Sequence, residues 1–385
     1  MTHNHLVIIG SGLAGYTLAR EFREHDKDST LTFITQEEGI YYSKPLLSSA
    51  LSNAKALSTL KLHEKEKMEQ SLNATILAHT SATAIDLTAR LVTTDKSAQG
   101  IPYTQLVLAM GATPKLPPIA GNGVADILQI NNLVDYEIFR QRLSTPGMTV
   151  TILGAGLIGS ELANDLSKSG YKVNLICSSS APLPRLLPQA LGEVMIDALK
   201  QQNATVVTNQ RAVAVEKHGA GFITTLQDNS TYQSDLVLAA VGLSPNTTLA
   251  AQAGLVVNRG IVANTYGQTS DSAVFTLGDC AEIDGQLHQF VMPIMQASKP
   301  LGLTLAGTLT AIEYPWMPVS AKTACAMTAI PPAMVDGAWE ITGEAPNLEA
   351  TYRDKSGKAI GFALVGEATA KRREYMAMLD EAVNP

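Results

Sequence analysis

Two stretches constrain this chain more than any other feature. "LVIIGSGLAGYTLAREF" from Leu6 and "TVTILGAGLIGSELANDL" from Thr149 each run from an apolar, strand-like segment through GxGxxG into a helix-like segment. In such a turn the first glycine permits the strand-to-helix reversal, the second lets backbone amides approach a pyrophosphate, and the third lets the helix pack closely on the strand. The helix N-terminus then turns its positive dipole end toward the phosphates. Gly10, Gly12 and Gly15 fill these places in the first copy, and Gly154, Gly156 and Gly159 in the second. One match alone is weak. Two matches, each after a strand and before a helix, predict two dinucleotide sites in one chain.

The surrounding pattern has the same period. Val7 to Ile9, Leu31 to Ile34 and Leu106 to Ala109 read as short strands, with a helix over Gly12 to Arg23. The pattern recurs at Val150 to Leu153, Val173 to Ile176 and Leu236 to Ala240, with helices over Leu157 to Ser169 and Ala190 to Gln202. The repeat is therefore of whole βαβ domains. Gly111-Ala112-Thr113-Pro114 and Gly242-Leu243-Ser244-Pro245 close the two units at matching places, and Pro114, Pro117 and Pro118 form a linker. "VFTLGDCAEIDG" from Val274 reads as a further strand and turn returning to the first unit, followed by a helix over Met295 to Thr308. From Trp316 the texture changes, and "EATYRDKSGKAIGFALVG" reads as two strands around an Asp-Lys-Ser-Gly turn. The expected class is α/β, with two Rossmann-like dinucleotide-binding domains and a small α+β C-terminal domain.

Composition excludes several alternatives. A net charge of −7 without a long basic block argues against a nucleic-acid binder. The apolar run Leu301 to Ile312 is short of the roughly 20 residues that a membrane helix needs. A strand beginning at Leu6 leaves no room for a signal peptide, so a cytoplasmic enzyme without an integral membrane segment is expected. The three cysteines, Cys177, Cys280 and Cys325, form neither CxxC nor CxxxxC, which leaves no paired-cysteine metal site and no disulfide framework.

The acidic residue expected about 20 positions after each glycine motif, to hold a ribose, is irregular here. In the first unit Glu37 and Glu38 follow the strand that ends at Thr35, and Glu37 is the candidate. In the second unit the strand end is Cys177-Ser178-Ser179-Ser180. With no arginine there for a 2′-phosphate, NADH is expected over NADPH.

At this point the chain resembles a known family. "VIIGSGLAGYTLAREFR", "YYSKPLLSSALS", "LVLAMGA", "ILGAGLIGSELANDL", "AVGLSPNTTLA" and "TLGDCAEIDG" occur in the order found in pyridine-nucleotide:disulfide-oxidoreductase-like flavoproteins. Within that group "SKPLLS", "NRGIV", "GDCAEI", "VMPIMQ" and "MPVSAKT" are similar to segments of bacterial rubredoxin reductases. The resemblance covers nearly the whole chain and weakens after about Met327. It implies an FAD domain over 1–114 and 243–315, a nicotinamide-dinucleotide domain over 115–242, and a C-terminal domain over 316–385.

The resemblance also assigns residues. Asp279 would accept a flavin ribitol hydroxyl, Lys44 would lie beside the flavin, and Glu161 would help to position nicotinamide. Lys322 would cover the flavin edge, while Gly111, Gly242 and Met292 complete the cofactor-binding set. Lys44, Glu161 and Lys322 are the catalytic candidates. Met110 departs from the threonine more usual in the family at that place. Disulfide reductases of this group relay electrons through a cysteine pair, and related peroxidases use one cysteine in the loop equivalent to Gly39–Ser52. That loop has no cysteine here. The implied activity is therefore hydride transfer from NADH to FAD and single-electron transfer to rubredoxin, without a thiol relay. Alternatives are a reductase of an oxygenase ferredoxin or of a flavorubredoxin, and a flavin-containing interaction or sensing protein. Lys44, Lys322 and Lys371-Arg372-Arg373 are candidates for a basic docking patch. The sequence gives no oligomeric state.

Overall fold

The first glycine motif lies between strand His5–Ile9 and helix Leu13–His25, and the second between strand Thr149–Leu153 and helix Leu157–Lys168. These elements come from a computed structural model that describes residues 4–332 and 335–383. The chain divides into two units, considered separately below. One comprises residues up to Pro45, Leu57–Thr113 and Leu243–Pro315; the other comprises Leu46–Ala56, Pro114–Gly242 and the chain from Trp316.

The first unit is built on a parallel sheet in the order Val274–Thr276, Gln105–Leu108, His5–Ile9, Thr30–Ile34, Thr75–Leu77. Parallel strands need crossovers, which cover both faces, so their sequences are apolar nearly throughout. Strand His5–Ile9 obeys this with a period of two. Leu6 and Ile8 join Tyr16, Phe22 and Leu301 in one cluster, while Val7 and Ile9 join Val92, Leu106 and Ile261 in the other. The expected return of the chain near Val274 is present, since Val274–Thr276 pairs with Gln105–Leu108.

The following helix spans Val291–Leu305 and begins earlier than its pattern suggests. Pro293 falls in the first turn, where a missing N–H costs nothing. This helix packs tightly on Leu13–His25, because a Cβ on Gly302 would stand 3.0 Å from the Phe22 backbone nitrogen. Two of the quoted motifs also meet. Buried Glu282 of "GDCAEI" accepts from the backbone N–H groups of Arg259 and Gly260 at 2.9 and 3.0 Å and from Asn258 Nδ2 at 3.0 Å. Burial alone would raise its pKa, but these donors outweigh it and hold the carboxyl below its ordinary range.

The second unit repeats the plan with parallel order Ala204–Val207, Lys172–Ile176, Thr149–Leu153, Leu236–Ala239. Its C-terminal part is an antiparallel sheet in the order Val319–Ala321, Met327–Ile330, Ala359–Val365, Asn347–Asp354, Gly337–Glu344. Strand Ala359–Val365 again alternates. Ala363 and Val365 face Leu187, Leu191 and Met195, whereas Phe362 and Leu364 cluster with Leu379 of helix Arg372–Val383. A strand with both faces covered explains the run "AIGFALV". The two expected strands and their turn are thus present, within a larger five-stranded sheet.

Candidate functional site

The glycines of the two motifs share one geometry. Gly10 has φ +112° and Gly154 φ +106°, where a side chain is strained, and an added Cβ would meet a carbonyl oxygen at 2.2 and 2.6 Å, those of Ala109 and Ala240. The third glycines leave no room, since a Cβ on Gly15 or Gly159 would lie 2.1 or 1.9 Å from the oxygen of Gly10 or Gly154. The middle glycines differ. A Cβ on Gly12 or Gly156 meets nothing within 4 Å.

Those two residues are the N-caps of their helices, with no side-chain cap and no acid in the first turn. A glycine cap offers no side-chain acceptor to the first N–H groups of either helix, which leaves them to a phosphate. Both motifs fit a dinucleotide by this test.

In the first unit two distant candidates lie within electrostatic range. Burial raises the Asp279 carboxyl above its ordinary value, and the positive charge of Lys44 works in the opposite direction. Lys44 opens the 3-10 turn Lys44–Ser49, and Asp279 follows strand Val274–Thr276. A carboxylate raised by desolvation gains most from a new hydroxyl donor. Glu37 is half-buried just past strand Thr30–Ile34; its N–H donates to Thr35 Oγ1 at 3.2 Å and its carbonyl accepts from His79 N–H at 3.1 Å. Gly111 has φ +65°, and Asn246 fastens its loop by donating to the carbonyls of Gly111 and Met110 at 3.0 and 2.8 Å. Met292 lies in the first turn of helix Val291–Leu305 and is 45% exposed.

In the second unit Glu161 is buried and projects from helix Leu157–Lys168. Its Oε1 accepts the Lys322 backbone N–H at 2.9 Å, and its Oε2 lies 3.6 Å from Lys322 Nζ. Ser48 completes the group by donating its hydroxyl to Glu161 Oε2 and accepting from Lys322 Nζ at 3.2 Å. Asn164, one turn along the helix, donates to the Lys322 carbonyl at 3.1 Å. Glu161 and Lys322 are thus brought together, joined by Ser48 and Asn164, which the sequence reading did not single out. Ser48 lay inside the quoted "SKPLLS", but nothing local marks a hydroxyl whose partners are so remote in sequence. Gly242 closes this unit's nucleotide sheet with φ +107° and open space beside it.

Two of the candidate docking cations have acidic neighbours. Lys371 Nζ is held by Glu349 at 2.7 Å, and Lys322 by Glu161, so neither charge stands alone. Arg372 and Arg373 are exposed. Cys177 and Cys280 are buried, Cys325 is half-buried, and all three are free thiols. Among the described residues no group of His, Cys, Asp and Glu could hold a metal, and no helix is long and apolar enough to cross a membrane.

Residues 311–379 match the rubredoxin binding C-terminal domain. A rubredoxin-NAD(+) reductase of Acinetobacter baylyi is 40% identical over 97% of this chain and 97% of that protein. One from Alcanivorax borkumensis is 39% identical over 95% and 96%. Among solved structures, the ferredoxin reductase for the CYP199A2 system of Rhodopseudomonas palustris superposes with a TM-score of 0.85 at 25% identity, covering 96% of this chain and 92% of that one. With residues 4–299 matching its family model, the chain belongs to the pyridine nucleotide-disulphide oxidoreductase family.

Proposed function

We propose that the chain is an NADH:rubredoxin oxidoreductase. FAD held by the chain would supply the chemistry that couples hydride donation by NADH (two electrons with one proton) to single-electron reduction of rubredoxin. In this reading residues 1–114 and 243–315 hold FAD, 115–242 hold the nicotinamide dinucleotide, and 316–385 form the C-terminal domain. The single observation that carries it is the pair of glycine turns, each with an uncapped helix N-terminus and open space at its middle glycine.

The chain's own residues then have distinct tasks. Gly10, Gly12 and Gly15 seat the FAD pyrophosphate, Glu37 binds the adenosine ribose, and Asp279 accepts from the ribitol. Lys44 would offer positive charge to the reduced ring, and Gly111 and Met292 would help to hold the same cofactor. Gly154, Gly156, Gly159 and Gly242 bind the nicotinamide dinucleotide. Glu161, held by Ser48 and Lys322, orients the nicotinamide. Because NADH is a cytoplasmic reductant, a cytoplasmic location goes with this reading. The C-terminal match to a rubredoxin-binding domain supports rubredoxin over a ferredoxin as acceptor.

The test is steady-state turnover of the FAD-loaded protein with purified rubredoxin and, separately, ferredoxin. NADH consumption should depend on rubredoxin concentration. Turnover with ferredoxin and none with rubredoxin would overturn the acceptor, and absence of bound FAD would overturn the whole reading.

A further inference from the structure

Segment Leu46–Ala56 lies, in sequence, inside the first nucleotide-binding half but belongs to the second unit. A fully buried carboxylate, that of Asp165, explains how it is held. Asp165 sits on helix Leu157–Lys168 one turn beyond Glu161, at the i+4 spacing that places both side chains on one face. Its Oδ1 accepts the Ser52 N–H at 2.8 Å and its Oδ2 the Leu51 N–H at 3.1 Å. The segment is tied internally by Asn53 Nδ2 donating to the Ser49 carbonyl at 2.6 Å and by Lys55 N–H donating to the Ala50 carbonyl at 2.9 Å. Arg140 fastens its far end, donating to the Lys55 carbonyl at 3.3 Å. Ser48 is a member of this same tied segment.

A buried carboxylate is costly, and packing alone would favour an apolar side chain of similar size. What the acid provides is two acceptors at fixed positions for two backbone donors. We propose that Asp165 is the positioning residue of the site: by holding Leu51 and Ser52 it closes segment Leu46–Ala56 on the helix and sets Ser48 between Glu161 and Lys322. The inference rests on the functional reading above for its kinetic consequence only.

The chemistry follows from the hydrogen bonds. Ser48 donates to Glu161 Oε2 and accepts from Lys322 Nζ, so together with the Lys322 backbone N–H on Oε1 it fixes the carboxylate's rotation and bridges an ammonium and a carboxylate that stand 3.6 Å apart. If Leu51 and Ser52 come free, Ser48 leaves. The 3.6 Å approach of Lys322 Nζ to Glu161 Oε2 can then shorten to a direct hydrogen bond, and the carboxylate loses the orientation offered to a nicotinamide.

The experiment compares the FAD-loaded wild type with Asp165→Ala and Asp165→Asn, each also combined with Ser48→Ala. Amide hydrogen exchange at Leu51 and Ser52 should speed up at least tenfold in Asp165→Ala, with exchange in the parallel sheets unchanged. In Asp165→Asn one oxygen remains an acceptor and the amide NH2 opposes the other donor, so the effect is partial. Stopped-flow reduction by saturating NADH should slow about tenfold in Asp165→Ala, with FAD content and NADH affinity close to wild type. In the Ser48→Ala background the Asp165 substitution should cost no further rate, because the two act through one contact.

Unchanged exchange at Leu51 and Ser52 overturns the anchor. An equal loss of rate with and without Ser48 overturns its action through Ser48. If Asp165→Ala does not fold, Asp165→Asn decides both points. Failure of NADH to reduce the wild-type flavin would instead overturn the functional reading, and the exchange measurement would still decide the anchor.

Discussion

Gly156→Ala separates the two nucleotide sites with the least disturbance to the fold. Gly156 has φ −73° and ψ −168°, which alanine adopts freely, and its Cβ would meet nothing within 4 Å. The remaining cost to folding is the poorer N-cap, about 0.5–1 kcal/mol. The consequence for a dinucleotide is larger, because the methyl group occupies the space through which the pyrophosphate approaches the helix amides. Weakening two charge-assisted hydrogen bonds, each contributing about 1.5–3 kcal/mol, removes about 3 kcal/mol or more and raises Kd for NADH by roughly 100-fold.

The assay is an anaerobic NADH titration of the purified variant followed by flavin bleaching, with FAD content measured after denaturation. FAD should stay at the wild-type level. Gly12→Ala should do the reverse, lowering FAD retention while the protein still binds NAD+ by calorimetry. Gly159→Ala is the structural control, since its Cβ would lie 1.9 Å from the Gly154 carbonyl oxygen and must shift the backbone. Unchanged NADH affinity in Gly156→Ala, or loss of FAD together with NADH, would refute the reasoning.

Four further outcomes follow from the placement of individual side chains. Asp279→Ala should weaken FAD binding by about 1.5–3 kcal/mol, read as tenfold to a hundredfold faster loss of flavin on dilution. Because burial raises the Asp279 carboxyl above its ordinary 3.8, its ionisation opposes folding of the apoprotein as pH rises through the folded value. Asp279→Asn apoprotein should therefore melt higher than wild type at pH 7 and match it below pH 3.8; a lower Tm at neutral pH counts against the assignment. Glu282 has the opposite sign. Its folded pKa lies below 4.5, so its stabilisation is present above that pH and is lost as pH falls through the folded value. Glu282→Gln should cost about 1–3 kcal/mol at pH 7 in urea melts, with the difference shrinking toward pH 3. Finally, Arg372→Glu with Arg373→Glu should slow association with an acidic carrier about tenfold at low salt, and added salt should erase the difference as the screening length falls below about 10 Å.

The division between what was and was not legible in the sequence follows sequence distance. Both βαβ frames could be read because their signals are local: glycine spacing, apolar runs and helix periodicity all fall within a few turns of one another. The return strand Val274–Thr276 was also legible, since "VFTLG" is a buried parallel strand with a glycine stop. The Ser48, Glu161 and Lys322 group was not. Its members come from a 3-10 turn, a nucleotide-domain helix and the start of the C-terminal sheet, and only the tertiary fold aligns them. Asp165 was not singled out, because its hydrogen bonds from the Leu51 and Ser52 N–H groups have no local signature. Lys371 makes the same point, since three adjacent cations are a local signal whereas the pairing of Lys371 with Glu349, on a neighbouring strand, is not.

The central claim is that electrons pass from FAD to rubredoxin with no thiol relay. Single-turnover mixing tests it most directly: wild type and a variant lacking Cys177, Cys280 and Cys325 are each reduced by one equivalent of NADH without oxygen, then mixed with oxidised rubredoxin. Cys177 and Cys280 are buried, so alanine is the replacement to use and FAD content is the check on folding. Both proteins should reduce two rubredoxins per FAD at rates within a few-fold of each other. Full FAD occupancy and normal reduction by NADH, together with loss of rubredoxin reduction in the cysteine-free protein, would contradict it.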